Sequence, residues 1–168
     1  MDLIIRPAQA GDMPAVATIY AHYVATSVAT FDVTVPEPGY WEQRLADLDE
    51  HALPFLVAES GGDIHGYSYA APWKTRPAYR HTAEDSVYVA PGRSGQGLGT
   101  VLLGALLDGC ARAGLRQVIA VIADAADTGK ASVALHRRFG FVPVGTLHGV
   151  GFKHDRWLDT TLMQRDLT

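Results

Sequence analysis

The stretch Asp85-Ser86-Val87-Tyr88-Val89-Ala90-Pro91-Gly92-Arg93-Ser94-Gly95-Gln96-Gly97-Leu98-Gly99-Thr100-Val101-Leu102-Leu103 decides how this chain is read. An apolar strand runs into a glycine-rich turn, and the turn opens an apolar helix. Gly95, Gly97 and Gly99 alternate, which leaves backbone N–H groups uncovered by side chains. The start of the following helix adds unpaired N–H groups and the positive end of its dipole. Strand, turn and helix together predict an anion site, and a diphosphate suits such a site.

Downstream, Leu98 to Ala113 continue as a mostly apolar helix stopped by Gly114. Gln117 to Ala123 is a nearly continuous apolar strand, suited to the interior of a sheet. Ser132 is placed to cap a short helix carrying Val133, Leu135, His136 and Phe139, closed by Gly140. Phe141 to Leu147 reads as a strand, and Pro143 suits it to an edge. His148 to Arg156 reads as a polar, glycine-containing connection, and Trp157 to Arg165 as a last strand.

Upstream, Leu3 to Arg6 is a first strand stopped by Pro7, and Asp12 is positioned to cap a helix with Pro14 in its first turn. Val16, Ile19, Tyr20, Tyr23 and Val24 recur at helical spacing. Thr26 to Pro38 is irregular, and Trp41 to Glu50 is a second helix with Trp41, Leu45 and Leu48 on one face. Phe55 to Glu59 and Ile64 to Ala71 flank the turn Ser60-Gly61-Gly62-Asp63, an antiparallel hairpin. Trp73 to His81 breaks the pattern. Hairpins and one helical crossover coexist, so the fold class is α/β with a mixed sheet.

The chain has 168 residues, 48% of them hydrophobic, which suits a single domain over 1–168 with its own core. No apolar run approaches a bilayer span, so a soluble, cytoplasmic protein is expected. A net charge of -4 argues against nonspecific nucleic-acid binding. Cys110 is the one cysteine, within an apolar helix, which excludes an intrachain disulfide and a cysteine-based metal cluster. His148 and His154 do not make a convincing metal site.

Two nucleotide readings of the glycine loop fail. A mononucleotide P-loop needs Lys-Ser or Lys-Thr after its last glycine, and Leu98-Gly99-Thr100 follows Gly97. The dinucleotide fingerprint needs different glycine spacing inside a strand–helix–strand unit.

Ser94-Gly95-Gln96-Gly97-Leu98-Gly99 resembles the pyrophosphate loop of the GNAT superfamily of N-acetyltransferases, which reads Gln/Arg-x-x-Gly-x-Gly/Ala. Ser94 departs from the usual Gln or Arg, and Arg93 stands beside it. Ala71 to Tyr79, Thr82-Ala83-Glu84 and Ser86 to Val89 are similar to phosphinothricin and methionine sulfoximine acetyltransferases. So are Ser132 to His136, Phe139-Gly140-Phe141, Val150 to His154 and Arg156 to Asp159. The resemblance covers nearly the whole chain. It implies a mixed, mostly antiparallel sheet flanked by helices. It also implies acetyl transfer from acetyl-CoA to the amine of a small amino acid or analogue, and a homodimer. Gly129 stands where the family usually has Asn.

The resemblance also implies roles. Val87, Tyr88, Val89, Arg93, Ser94, Gly95, Gln96, Gly97, Leu98, Gly99, Thr100 and Ser132 would hold the cofactor. Acyl transfer needs a neutral amine, and Glu84 matches the family's base, acting through a water. Asp85 alternates away from Glu84 and reads as structural. His136 matches a substrate-pocket histidine that could bind the amine, relay a proton or protonate the thiolate. The Val89 N–H matches the oxyanion donor. Lys74, Arg76, Tyr79 and Arg80 form a cationic, aromatic cluster suited to a carboxylate. The resemblance supports Lys74, Arg76 and Tyr79 as its contacts, with Phe31 as a pocket wall. Two rivals stand beside this reading: an acetyltransferase for peptide N-termini, and a noncatalytic acyl-CoA sensor.

Overall fold

A computed structural model describes residues 2–168; Met1, the first residue of the expected domain, lies outside the described residues. Its strands are β1 (Ile4–Pro7), β2 (Phe55–Ser60), β3 (Asp63–Pro72), β4 (Thr82–Val89), β5 (Gln117–Ala123), β6 (Val142–Lys153) and β7 (Arg156–Asp166). Its helices are α1 (Met13–Thr26), α2 (Tyr40–Glu50), α3 (Leu98–Arg112) and α4 (Lys130–Arg138). The strands form one sheet in the order β1-β2-β3-β4-β5-β7-β6, antiparallel at every pairing except β4 with β5. That parallel pair needs a crossover, which α3 supplies. β5 is interior and β6 is an edge, as their apolar and proline patterns indicate.

Each sheet face has its own core. Tyr67 and Tyr69 of β3 join Val16, Ile19, Trp41 and Leu48 on the α1–α2 side. Ala70, Ala83, Val118 and Ala120 join Leu103, Leu106 and Cys110 on the α3 side. Strand alternation divides β4 in the same way: Tyr88 packs with the first cluster and Val87 with the second. Leu102, Leu103 and Leu106 are fully buried. Burying each such side chain stabilises by about 1.5–3 kcal/mol, enough to seat α3 firmly.

Three local expectations are corrected. Asp12 precedes α1, but its carboxylate makes no capping bond to that helix. It accepts the Gln9 N–H at 2.8 Å and both terminal nitrogens of Arg6 at 2.8 Å, a bidentate pair that outcompetes a cap. Ser132 does not cap α4 either; Gly129 is the N-cap, and the helix starts earlier, at Lys130. The strand read as Phe141 to Leu147 instead runs from Val142 to Lys153, so His148 to Arg156 is no connection. His154 and Asp155 alone form the turn, with φ of 51° and 58°. A two-residue turn with both φ positive matches the twist of the strands it joins. Two register shifts let the long edge strand follow β7 past Pro143 and past Gly149.

Candidate active site

β4 and β5 stay paired only over Thr82↔Gln117, Ala83↔Val118 and Glu84↔Ile119. Beyond Glu84 they diverge, and a cleft of about 710 Å³ opens between them. Asp85 to Val89 form one wall, Ala120 to Ala123 the other, and the glycine loop with the first turn of α3 the rim.

The β3–β4 register decides which β4 backbone groups face this cleft. Ala90 N–H donates to His65 and Trp73 N–H to Thr82, each across the same register. In an antiparallel ladder the alternate residues carry the cross-strand bonds. Thr82, Glu84, Ser86, Tyr88 and Ala90 therefore bond β3, and Asp85, Val87 and Val89 turn their N–H and C=O outward. Once β5 has diverged, Val87 and Val89 offer an open strand edge to a ligand amide. The Tyr23 hydroxyl donates to the Val89 carbonyl at 2.6 Å, which leaves the Val89 N–H for a ligand.

Gly95 and Gly97 take φ of 78° and 82°, a left-handed backbone that glycine adopts without strain. Gly97 is the N-cap of α3, and space is open where its Cβ would stand. The first N–H groups of α3 therefore face the rim unobstructed, beside Gly95, Gly99 and Thr100. Arg93 and Ser94 also line the cleft. Gln96 lies instead in a smaller groove with Asp63 and His65. Tyr88 borders the cleft, but its ring packs among Tyr20, Tyr23 and Tyr67.

Gly129 sits in the cleft wall as α4 begins. A Cβ there would collide with the Ala123 carbonyl oxygen and fall 2.9 Å from Ile122 Cγ2. The turn before it is drawn tight by Asp124, whose carbonyl accepts the Gly129 N–H at 2.9 Å. Its carboxylate also takes the Thr128 hydroxyl at 2.8 Å. This close approach accounts for the glycine at this position.

Glu84 stands where the strands part. Burial, then the neighbouring Asp85, pushes its carboxyl above the usual range, while Arg44 and Lys74 pull it back. Such a group is a better base near neutral pH than an exposed carboxylate. Arg44 escaped the sequence reading. Its guanidinium lies 5.1 Å from the Tyr69 ring centre and 5.9 Å from that of Tyr40. Only helix geometry reveals that α2 turns this cation toward Glu84.

Asp85 points to the opposite face and meets α4. Its Oδ2 lies 2.8 Å from His136 Nε2, and His136 Nδ1 donates to the Ser132 carbonyl at 2.7 Å. Phe141 packs edge-on against the imidazole, 4.8 Å between ring centres. Burial works against the imidazolium, but the Asp85 bond and charge and the Ser132 carbonyl outweigh it, and the pKa is raised. Both ring nitrogens are thus engaged. Asp85 Oδ1 is buried in the cleft wall with no hydrogen-bond partner among the described residues.

Lys74, Arg76, Tyr79 and Arg80 are exposed on the segment after β3, outside the cleft lining. The Lys74 ammonium lies 4.8 Å from the Trp73 ring centre. Neither Lys74 nor Arg76 forms an ion pair with a carboxylate among the described residues. Phe31 packs against Gly151, and Ala29 of the same segment reaches the cleft. Ser132 borders the cleft from α4. Tyr23 was also missed: its helical spacing marks it as core, and only the Val89 carbonyl gives its hydroxyl a role.

The acetyltransferase (GNAT) family model matches residues 18–141. The chain is 45% identical over 163 residues to a phosphinothricin N-acetyltransferase of Alcaligenes faecalis, covering 97% of this chain and 82% of that protein. It is 37% identical over 172 residues to an L-methionine sulfoximine/L-methionine sulfone acetyltransferase of Pseudomonas aeruginosa, covering 99% and 96%. The structure superimposes on a phosphinothricin acetyltransferase of Sinorhizobium meliloti in complex with acetyl-CoA, with a TM-score of 0.93 and 40% identity, covering 99% and 89%. It also matches the yncA protein of Salmonella typhimurium, solved with its cofactor acetyl-CoA, with a TM-score of 0.95 and 33% identity, covering 100% and 95%. Family model, relatives and superposition agree along nearly the whole length, and the chain belongs to the GNAT family of acetyltransferases.

Proposed function

We propose that this protein transfers acetyl from acetyl-CoA to the α-amine of a small amino acid or analogue of the phosphinothricin, methionine sulfoximine or methionine sulfone type. The observation that carries the reading is the parting of β4 from β5 immediately after Glu84, beside the left-handed glycine loop. A diphosphate held at Gly95 to Thr100 lets the pantetheine arm run along the open edge of Val87 and Val89, with the acyl end toward Glu84. Those groups fit the cofactor by charge and by shape.

Glu84 takes a proton from the incoming ammonium through a water, which frees the nitrogen lone pair. The Val89 N–H donates to the acyl oxygen as charge gathers there. The nitrogen's second proton passes to the departing sulfur as the tetrahedral intermediate collapses, so that CoA leaves as the thiol, and His136, locked by Asp85 and Ser132, borders that part of the cleft wall. Lys74, Arg76 and Tyr79 engage the substrate carboxylate, with Phe31 as an apolar wall. Transfer is direct, in a ternary complex: Cys110 is buried, and burial first, then Asp85, pushes its thiol up to about 12, which disqualifies it as an acyl carrier. The exposed side chains of Val142, Val144, Leu147, Val150, Phe152 and Trp157 support a homodimer formed through the β6–β7 hairpin.

The test is CoA release from acetyl-CoA with phosphinothricin, methionine sulfoximine, methionine sulfone, common amino acids, a peptide and a polyamine. Turnover confined to amino acids and their analogues is expected. Preference for the peptide overturns the carboxylate reading, and tight CoA binding without turnover on any amine favours the sensor. Glu84→Gln should lower kcat by about 10²–10⁴-fold with acetyl-CoA affinity retained; unchanged kcat removes Glu84 as the base.

A further inference from the structure

Lys153 is among the most buried residues of the molecule, 4% exposed, although its side chain ends in an ammonium. Its Nζ donates to the Thr30 carbonyl at 2.8 Å, across 123 positions of sequence. Burial pulls its pKa down and Asp32 pushes it back up. Removing an ammonium from water is costly, and an apolar side chain would hold the hairpin end more cheaply. What the ammonium adds is direction: it fixes one carbonyl in one place.

That carbonyl precedes Phe31. The segment after α1 is held at several further points. Val28 packs with Ala123 and Leu158. The Thr30 hydroxyl lies 2.7 Å from the Tyr20 hydroxyl, and the Asp32 N–H donates to Thr30 Oγ1 at 3.1 Å. The Phe31 ring lies flush against Gly151, so that a Cβ on Gly151 would overlap three ring carbons. Along β6, Gly151 and Lys153 face inward to this segment and Phe152 between them faces out. The inner side of the hairpin tip therefore grips the segment twice, by the missing Cβ of Gly151 and by the ammonium of Lys153.

We propose that Lys153 is a positioning residue for amine specificity: through the Thr30 carbonyl it sets the height of the Phe31 wall over the acceptor end of the site. This rests on the reading of Phe31 as a pocket wall. Lys153 touches neither the cleft nor Glu84 and has no part in binding acetyl-CoA. Its effect belongs in the KM of the amine.

The experiment is steady-state kinetics with methionine sulfone or phosphinothricin, whichever turns over faster, on Lys153→Met, Lys153→Arg, Gly151→Ala, Phe31→Ala and the Lys153→Met/Phe31→Ala double variant. Lys153→Met should raise the amine KM by about tenfold, the equivalent of one lost hydrogen bond from a charged group. The acetyl-CoA KM and kcat should move less than about threefold. Lys153→Arg should recover most of the loss, and Gly151→Ala, which pushes the ring directly, should reproduce it. The double variant should be no worse than Phe31→Ala alone. If Phe31→Ala raises the amine KM and Lys153→Met does not, Lys153 is structural and the proposal fails. Additive effects in the double variant, or equal changes in both KM values, also overturn it. If Phe31→Ala itself leaves the amine KM unchanged, the fault lies in the reading of Phe31. Should Lys153→Met not fold, Lys153→Gln, too short to reach Thr30, stands in and is judged by the same split.

Discussion

Asp85→Ala tests the pair that ties β4 to α4. Asp85 and His136 are 8% and 5% exposed, and the 2.8 Å contact is the one ion pair either makes among the described residues. Removing one member of such a pair costs about 3–5 kcal/mol, because the other is left charged and unpaired in the interior. His136 can shed its proton to escape part of that cost, which selects the lower end, about 3 kcal/mol. In a chain of this size that corresponds to a fall in Tm of roughly 6–12 °C. The sign of the pH dependence follows from the raised pKa of His136. A histidine raised above its unfolded value of about 6.5 contributes fully below that pH and loses its contribution as pH rises through the folded value. The gap between parent and variant should therefore be widest near pH 6 and should shrink as pH rises through the raised folded value. Asp85 also raises the pKa of Glu84 and of Cys110. Thermal unfolding by circular dichroism at several pH values reads the gap directly. A variant melting within about 2 °C of the parent at pH 6, or a gap that widens in alkali, refutes the charged pair.

Gly97→Val places a β-branched residue in a left-handed backbone, at a strain of about 1–2 kcal/mol, and covers the rim N–H groups. It should weaken acetyl-CoA binding at least about tenfold by calorimetry, and normal affinity in a folded variant removes the loop assignment. Gly129→Asn drives a Cβ into the Ala123 carbonyl and should cost about 1–3 kcal/mol in Tm measurements; an unchanged Tm means that the turn at 124–129 is looser than described. Arg76→Ala should raise the amine KM by roughly 10–100-fold with little change for acetyl-CoA, the value of a charge-assisted hydrogen bond. Equal movement of both KM values refutes the clamp.

What the sequence revealed, and what it hid, follows from how local each signal is. Gly61-Gly62 announced its hairpin because glycine is the ordinary residue for two successive positive φ values. His154-Asp155 makes the same kind of turn with residues that seldom adopt it, so β6 was cut short and its end taken for a connection. The glycine loop was legible because strand, turn and helix lie within one stretch. The cationic cluster of Lys74, Arg76, Tyr79 and Arg80 was equally contiguous, yet contiguity on an exposed segment says nothing of what its side chains converge on. Asp85 and His136 lie 51 positions apart, and no local pattern joins them. Alternation could say that Asp85 faces away from Glu84, but not that α4 would wait there with an imidazole.

The groups proposed to carry the chemistry are concentrated in β4 because one strand has four directions to offer. Side chains alternate between two faces, and backbone groups alternate between two edges. Glu84 takes the α1–α2 face, where Arg44 and Lys74 moderate the cost of its burial. Asp85 takes the other face and anchors α4, which forms the far wall of the cleft. Ser86 and Tyr88 spend their backbone groups on β3 and keep the strand in the sheet. Val87 and Val89 turn theirs to the edge that β5 leaves open. A one-residue slip of β4 would exchange all these assignments together, sending Glu84 under α3 and giving the open edge to Tyr88. The partnership of Tyr67 with Tyr88 and the fully buried Ala83 hold the register against that slip. Core packing on both faces is thus the condition for the site, and changes at Tyr67 or Ala83 should be felt in catalysis although neither residue borders the cleft.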